Sequence, residues 1–290
     1  MRVLKKRMNT KSIKMKLTIV TINYNNATGL KKTMDSVFSQ TDTDFEYIIV
    51  DGASTDISIS IIKEYEHSNI QHFHWISEPD KGIYNAMNKG IQQATGEYIY
   101  FLNSGDWFAD TKVVENIFSA PRTGDVLYGN YYYVTDTKST LYTYPKTLTN
   151  GWFYAGGLCH QAVFVKTEQQ KKHLFEEKYR FVADWKVLFT LFVLEKKQFE
   201  YLNFPISYYT LDGFSSKPEN IDALNKERLA IFKELVLPVD AKTEIDMAVK
   251  LLKLIDSPLT IYESKKKKTL TFSGIKAHIL FNIARVLHKI

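Results

Sequence analysis

The feature that most constrains the fold is the alternation of apolar strands with amphipathic helices over the first third of the chain. Four apolar runs predict strands, at residues 17–22, 45–50, 72–76 and 98–102. Three helical patterns lie between them, at residues 30–39, 56–66 and 83–94. Strands that alternate with helices of this length form βαβ units. We therefore predict an α/β fold, Rossmann-like, with a mainly parallel central sheet flanked by helices.

The remaining sequence predicts a second half of the same domain and a helical C-terminal extension. Further strands are predicted at residues 126–129, 161–165 and 199–202. Further helices are predicted at residues 183–195, 220–235, 240–254 and from 274 to the end. We divide the chain into a basic arm (1–16), an α/β domain (17–216, with halves 17–106 and 107–216), a helical extension (217–262) and a basic amphipathic helix (263–290). A charged linker at residues 263–268 opens the last segment.

Composition and charge exclude several classes of protein. A single cysteine, Cys159, excludes a disulfide framework and a cysteine-based zinc site, and it agrees with a reducing cytosol. The net charge of +6 is concentrated at the two ends, whereas the sequence between them holds more acidic than basic side chains. This distribution argues against nucleic acid as the partner and favours an anionic membrane surface. The chain has no apolar run of about 18–20 residues and no secretory signal, so we expect a cytoplasmic protein.

The C-terminal segment predicts an amphipathic helix. Its apolar residues fall on one stripe at helical spacing: Ile275, Ile279, Ile283, Val286 and Ile290. Four consecutive lysines precede it, a pattern typical of a helix that lies in a membrane interface. We therefore expect peripheral association with the inner face of the cell membrane. The alternative is that the stripe packs on the body of the protein or on a second subunit, and the oligomeric state stays open.

Polar clusters follow four of the predicted strands, where an open α/β sheet binds its ligands. They lie at residues 21–25, 51–56, 78–82 and 103–106. Each alone is also typical of a turn with a helix cap. The sequence lacks the glycine-rich loops of dinucleotide-binding and P-loop proteins, so a bound nucleotide needs carboxylates and a metal at its phosphates. Asp106 is suited to hold Mg²⁺ or Mn²⁺, and Asp51 to accept the imide N–H of a uracil ring.

The ordered series of motifs resembles a known family. The run TIVTINYNN, followed by EYIIVDGASTD and EPDKGIYNAMNKGIQQATGEYIYFLNSGDW, is similar to glycosyltransferase family 2 in its bacterial polysaccharide branch. The resemblance covers about residues 17–216. It implies a GT-A fold, an inverting mechanism and a nucleotide-diphosphate donor, with UDP as the expected nucleotide. It also implies a carbohydrate or polyprenyl-linked acceptor in surface polysaccharide biosynthesis.

The resemblance assigns binding roles to individual residues. Nucleotide-binding roles fall on Thr21, Asn23, Tyr24, Asp51, Asp80, Lys81 and Ser104. The D-x-D metal motif of the family is replaced here by Asn103-Ser104-Gly105-Asp106, so Asp106 is left as the main ligand of a weakly held Mn²⁺ or Mg²⁺. His160 is expected to supply a further metal or diphosphate contact, or else to be a satisfied strand histidine.

The catalytic and acceptor roles fall in the second half of the domain. Asp184, at the start of a predicted helix, matches the family's general base, and its alternative role is a helix N-cap. Trp152 and Trp185 are candidate acceptor contacts. The aromatic runs at residues 131–133 and 152–154 either form an acceptor platform or fill the core. The Q-x-x-R-W motif of processive members is absent, which favours addition of a single sugar. Two other interpretations stay open: a sugar nucleotidyltransferase, and a degenerate, non-catalytic assembly partner at the membrane.

Overall fold

The computed structural model describes residues 15–66, 70, 72–135, 137–210, 218–236, 260–263 and 266–269. In its first half, four strands alternate with three helices, as the sequence predicts. The strands are β1 (Leu17–Asn23), β2 (Glu46–Asp51), β3 (His72–Ser77) and β4 (Tyr98–Phe101). The helices are α1 (Ala27–Phe38), α2 (Ser58–Glu64) and α3 (Ile83–Gln93). The side chain of Asn26 caps α1 by accepting a hydrogen bond from the Gly29 amide.

The second half is built from shorter and more irregular elements. Its strands are β5 (Trp107–Phe108), β6 (Val126–Val134), β7 (Ser139–Tyr142), β8 (Val163–Lys166) and β9 (Phe199–Thr210). Its helices are α4 (Val113–Phe118), α5 (Asn150–Ala155), α6 (Thr167–Lys172) and α7 (Ala183–Phe189), which continues as a π-helical turn (Thr190–Leu194). A 3₁₀ turn (His160–Ala162) precedes β8, so the strand predicted at 161–165 begins two residues later than expected.

One sheet runs through both halves in the order β3-β2-β1-β4-β8-β6-β9-β5, with β7 paired to β6. Strands β1 to β4 pair in parallel, as predicted. Strand β8 then runs antiparallel between β4 and β6, and parallel pairing returns only between β6 and β9. The α/β prediction is confirmed, and parallel pairing dominates in the first half but not in the second.

Alternate residues of each strand pack on opposite faces of the sheet, which gives three layers. On one face, Ile19 and Ile49 pack with the apolar sides of α1, α2 and α4. On the other face, Val20 and Ile48 pack with α3, α7 and Ile231. Strands β1 and β2 are buried on both faces, which explains why apolar side chains do not simply alternate with exposed polar ones along them.

After β9 the structure describes one helix, α8 (Ile221–Val236), and an antiparallel pair, β10 (Thr260–Glu263) and β11 (Lys266–Thr269). The charged linker predicted at 263–268 is therefore wrong, since Glu263 ends β10 and Lys266, Lys267 and Lys268 lie in β11. The helices predicted at 240–254 and from 274 onward lie outside the described residues, as does nearly all of the basic arm. Among the described residues, no helix is both long and apolar enough to cross a membrane.

Candidate active site

The order of the strands creates a switch point between β1 and β4, where ligands of open α/β sheets bind. The loops after these two strands are joined by hydrogen bonds. The Asn26 side-chain amide donates to the Ser104 carbonyl at 3.1 Å, and the Ser104 hydroxyl donates to the Asn26 carbonyl at 3.2 Å. Two of the four predicted polar clusters therefore meet at one edge of the sheet.

Asp51, at the end of β2, is fully buried and accepts four hydrogen bonds. One oxygen accepts from the Asn23 amide at 2.8 Å and from the Ser54 hydroxyl at 2.6 Å. The other accepts from the Ser54 backbone N–H at 2.9 Å and from the Ser77 hydroxyl at 2.7 Å. These four bonds occupy the usual acceptor positions of a carboxylate. Asp51 therefore joins the ends of β1, β2 and β3, and no acceptor position is left for a uracil N–H.

Tyr24, Gly52 and Asp80 lie together beside this cluster, with Gly52 buried, Asp80 partly exposed and Tyr24 exposed, and we call this group the Tyr24 pocket. The ring of Tyr24 is 67% exposed. A Cβ atom at Gly52 would lie 2.4 Å from an Asp80 carboxylate oxygen and 3.2 Å from the Tyr24 ring, so only glycine fits between them. The other Asp80 oxygen accepts from the Gly82 amide at 2.9 Å. Lys81 is exposed next to Asp80.

The other predicted nucleotide contacts lie deeper. Thr21 is fully buried, and its hydroxyl pairs with the Tyr47 hydroxyl and the Leu102 carbonyl. Asn23 is 4% exposed, and its amide nitrogen donates to Asp51, Ser54 and Ser58. The structure therefore places Thr21 and Asn23 beneath the pocket surface and Tyr24 on it.

Asp106 lies in the turn after β4. Its carboxylate accepts from the Gln161 side-chain amide at 3.0 Å and from the Thr210 backbone N–H at 3.2 Å. Gly105 has a φ of 109°, in the region that favours glycine, and this turns the chain sharply before Asp106. The Asp106 amide closes the turn by donating to the Asn103 carbonyl at 3.0 Å.

A chain of hydrogen bonds links Asn103 to Asp184. The Asn103 side-chain nitrogen lies 3.1 Å from His160 Nε2, and His160 Nδ1 lies 3.1 Å from one Asp184 oxygen. The other Asp184 oxygen accepts from the Tyr84 hydroxyl at 2.8 Å. Because an ionised carboxylate only accepts, the Nδ1 atom of His160 that faces Asp184 carries a proton. Both ring nitrogens of His160 are occupied, so a metal contact from His160 requires Asn103 to move.

Asp184 begins α7, and its side chain is 20% exposed. It is not the N-cap of α7, since that position is Val182, whose side chain makes no capping hydrogen bond. Burial raises the pKa of the Asp184 carboxyl, but the hydrogen bond and charge of His160, together with the Tyr84 hydroxyl, outweigh it. The pKa of Asp184 therefore lies below its ordinary value, and the group is ionised at neutral pH. Burial, with the nearby Asp184 charge, raises the pKa of Tyr84, which keeps its proton for donation.

The two tryptophans predicted to contact the acceptor differ in position. Trp185 is 5% exposed, and its indole N–H donates to the Phe153 carbonyl at 3.0 Å, so it supports the site from below. Trp152 is partly exposed and packs edge-on against Tyr144. Tyr131 and Tyr142 continue this aromatic cluster. The cluster borders Cys159, which directly precedes His160.

Two site residues were missed by sequence reasoning. Tyr84 and Gln161 contact Asp184 and Asp106 respectively, yet Tyr84 lies 100 residues from its partner and Gln161 lies 55 from its own. No local pattern signals such contacts. The turn containing Gln161 was predicted as a strand, which assigned its side chain no particular direction.

The donor set near Asp106 suits a hard cation held weakly. Asn103 Oδ1 is a buried acceptor without a hydrogen-bond partner, in the same turn as the Asp106 carboxylate. Amide and carboxylate oxygens are ligands that Mg²⁺ and Mn²⁺ accept. Within the described part of the chain, no group of three or more histidine, cysteine or acidic side chains is arranged to hold a metal.

The fold is that of an α/β protein with a switch point in its sheet, and the site beside it contains the partly exposed carboxylate of Asp184. A family model described as Glycosyl transferase family 2 matches residues 18–181, more than half of the chain. The chain therefore belongs to glycosyltransferase family 2.

Curated relatives agree with this family. Glycosyltransferase GlyA of Streptococcus pneumoniae is 26% identical over 226 residues, which are 74% of this chain and 30% of that protein. The PGL/p-HBAD biosynthesis glycosyltransferase of Mycobacterium bovis is 29% identical over 178 residues, 58% of this chain and 66% of the relative. The chain thus spans less than two thirds of the length of each of these relatives.

Solved structures share the fold. Staphylococcus aureus TarS 1–349 in complex with UDP-GlcNAc has a TM-score of 0.61 at 18% identity, covering 82% of this chain and 72% of TarS 1–349. The mannosyltransferase PcManGT of Pyrobaculum calidifontis, in complex with GDP-Man and Mn²⁺, has a TM-score of 0.55 at 14% identity, covering 95% of this chain and 81% of that one. The predicted GT-A fold is confirmed.

Proposed function

We propose that this chain is an inverting, non-processive glycosyltransferase that moves one sugar from a UDP-sugar to a carbohydrate or polyprenyl-linked acceptor. Family membership supports sugar transfer, and TarS was solved with UDP and with UDP-GlcNAc. The proposal depends mainly on Asp184. This carboxylate is partly exposed, is oriented by His160 and Tyr84, and is linked through His160 to Asn103 in the loop after β4.

The donor base is proposed to lie in the pocket of Tyr24, Gly52 and Asp80. The exposed Tyr24 ring offers a stacking face, and the Asp80 oxygen above Gly52 is an acceptor for an imide N–H. This assignment moves the base contact from Asp51, whose acceptor positions are full, to Asp80. Lys81, which is exposed next to Asp80, and Ser104, in the loop that holds Asp106, are proposed to contact the ribose and phosphates.

Asp184 is proposed as the general base. In an inverting transfer, the acceptor hydroxyl attacks the anomeric carbon while a carboxylate takes its proton. Asp184 is ionised at neutral pH and is held by two hydrogen bonds, so it presents a fixed acceptor. The aromatic cluster of Trp152, Tyr131 and Tyr142 lies on the same side of the sheet and is proposed to bind the acceptor sugar through ring faces.

A divalent cation is proposed to bind at Asp106 and Asn103 Oδ1. When bound, Mn²⁺ or Mg²⁺ neutralises the charge that develops on the departing diphosphate. Gln161 and Thr210 hold the Asp106 carboxylate in place for this task. His160 is retained by Asn103 and Asp184, so we propose that it orients Asp184 rather than coordinating the metal.

The cellular setting is also a proposal. The acceptor is taken to belong to surface polysaccharide biosynthesis, which agrees with the family branch. The basic amphipathic segment at 263–290 is proposed to associate with the anionic inner face of the cell membrane.

Replacing Asp184 tests the proposal. We expect Asp184→Asn to lower the Mn²⁺-supported release of UDP from UDP-GlcNAc and other UDP-sugars by about 10²- to 10⁴-fold, because the base is lost. Its affinity for UDP should not change. Glu168→Gln, an exposed acid in the first turn of α6, is the matched control and should retain activity. Turnover of Asp184→Asn near that of the unmodified protein would contradict the proposed base.

A further inference from the structure

Arg228 lies on α8, a helix that is fixed firmly against the catalytic half. Glu227 accepts from the backbone N–H groups of Arg180 and Phe181 at 2.8 and 2.9 Å. Ile231 is fully buried in the core. Glu234 accepts from the Tyr179 hydroxyl at 2.7 Å. Positions 227, 231 and 234 form one helical face, so the direction of Arg228 beside them is set by packing.

The guanidinium of Arg228 has N–H donors that no acceptor among the described residues uses. One nitrogen, Nη2, donates to the Gly156 carbonyl at 3.3 Å, and the guanidinium carbon lies 5.8 Å from the centre of the Trp185 ring. Its Nε is buried and has no hydrogen-bond partner. Arginine carries five N–H donors in a planar fork, and a buried donor left unpaired is costly. A side chain that served only to pack on Trp185 would not need a donor in this position.

Among the described residues, the charge of Arg228 is not neutralised by an ion pair. Burial lowers the pKa of the guanidinium, while the nearby Asp184 and Tyr84 groups oppose that effect. Within the described residues, no carboxylate forms an ion pair with Arg228, and the oxygens of Asp184 already accept from His160 and Tyr84. A partly desolvated cation thus lies near the proposed base without a carboxylate of its own.

We propose that Arg228 binds a phosphate group next to Asp184, using its Nε and the remaining fork. The inference rests on the proposed function, which brings phosphate to this site from two sources. One is the diphosphate of the donor, and the other is a phosphate that carries the acceptor lipid. Planar, bidentate recognition of phosphate is the task for which arginine is better suited than lysine.

Calorimetric titrations of three phosphate probes test this binding: UDP with Mn²⁺, inorganic pyrophosphate with Mn²⁺, and farnesyl diphosphate. Farnesol, which lacks the diphosphate, is the control for the third probe. Each is measured on the unmodified chain, Arg228→Gln, Arg228→Lys and the control Lys226→Gln, which removes an exposed charge from the same helix. Thermal unfolding confirms that each variant is folded. We expect Arg228→Gln to weaken at least one phosphate probe by about 10- to 100-fold, since hydrogen bonds to charged groups are the strong ones. Lys226→Gln should change none of them, and Arg228→Lys should recover only part of the loss.

The pattern of losses identifies the source. A loss for UDP but not for farnesyl diphosphate assigns Arg228 to the donor, and the reverse pattern assigns it to the acceptor. If the unmodified chain binds pyrophosphate or farnesyl diphosphate through Arg228 but binds no nucleotide, the Arg228 site stands and the proposed UDP donor falls. Equal affinities in folded Arg228→Gln and the unmodified chain, or binding of none of the probes by either, would overturn the Arg228 site.

Discussion

The two halves of the domain each hold a buried or partly buried aspartate, Asp51 at the end of β2 and Asp184 at the start of α7, and the two carboxylates are used in opposite ways. Asp51 is fully buried, and all four of its hydrogen bonds come from the ends of neighbouring strands and loops. Asp184 is 20% exposed and accepts side-chain hydrogen bonds from His160 and Tyr84, with a further contribution from the Trp185 backbone N–H. Asp51 therefore stabilises the sheet edge, whereas Asp184 retains lone pairs that can accept a proton from a ligand.

The comparison shows that a carboxylate at a strand end is not by itself a ligand contact. What separates the two residues is the number of donors that the fold supplies. A fully satisfied hydrogen-bond network makes the surrounding loops rigid. A carboxylate with fewer donors keeps lone pairs that can bind a ligand or accept a proton. The same distinction separates Asp51 from Asp80, whose oxygen above Gly52 faces the pocket.

The same substitution at the two aspartates gives the largest contrast in stability. We expect Asp51→Asn to lower the free energy of unfolding by about 3 kcal/mol, because its amide would face donors that then stay buried and unpaired. Asp184→Asn should cost less than about 1 kcal/mol, since His160 can change tautomer and accept from the new amide. Urea unfolding of both variants measures the difference. Equal losses at the two positions would remove the distinction between them.

Replacing Tyr84 tests whether its hydroxyl helps to keep the Asp184 carboxylate ionised. The folded pKa of Asp184 is depressed, in part by the Tyr84 hydroxyl, and the base is active only when ionised. Tyr84→Phe therefore raises that pKa and shifts the acid limb of the kcat/KM profile to higher pH. We also expect kcat/KM at neutral pH to fall about fivefold, since one hydrogen bond contributes about 1 kcal/mol. Tyr179→Phe, whose hydroxyl bonds Glu234, is the control and should leave the profile in place. An unshifted profile in Tyr84→Phe would show that the hydroxyl does not act on the base.

The smallest expected effect is that of Ala53→Gly, next to Asp51, on the free energy of unfolding. Its φ of 60° lies in the left-handed region, where the hydrogen bonds between Asp51 and Ser54 hold it. This conformation costs an L-residue about 1–2 kcal/mol, and glycine avoids that cost at an entropic penalty of about 0.5–1 kcal/mol. We expect Ala53→Gly to raise the free energy of unfolding by about 0.5 kcal/mol and to recover part of the loss in Asp51→Asn. Urea titration measures both, and a destabilised Ala53→Gly would show that the methyl group matters more than the backbone.

The first half of the fold could be predicted from the sequence because each signal there is local. Strands β1 to β4 are apolar runs, and each polar cluster follows its strand directly, so the switch point places them together. The side chains that reach the pocket surface could not be separated from those beneath it. Whether Thr21 or Tyr24 faces a ligand depends on the pairing of β1 with its neighbours, which one strand does not specify.

The second half depends on contacts between distant residues. The chain of Asn103, His160, Asp184 and Tyr84 joins a loop, a 3₁₀ turn and two helices. The antiparallel insertion of β8 between β4 and β6 is what brings His160 to Asn103. Asp184 was found only through the family motif, and the partners that orient it required the tertiary structure. Likewise, residues 263–268 were predicted as a charged linker, yet Lys266, Lys267 and Lys268 pair with β10, although lysine is depleted in strands.

Calorimetric titration of UDP into the full chain, with and without Mn²⁺, decides whether this sheet edge is a metal-assisted nucleotide-sugar site. The account predicts micromolar binding that requires Mn²⁺ and falls about tenfold or more in Asp106→Asn, because the main protein ligand of the cation is lost. Asp110→Asn, an exposed carboxylate in the following turn, should bind as the unmodified chain does. Absence of UDP binding, or binding indifferent to both Mn²⁺ and Asp106, would contradict it.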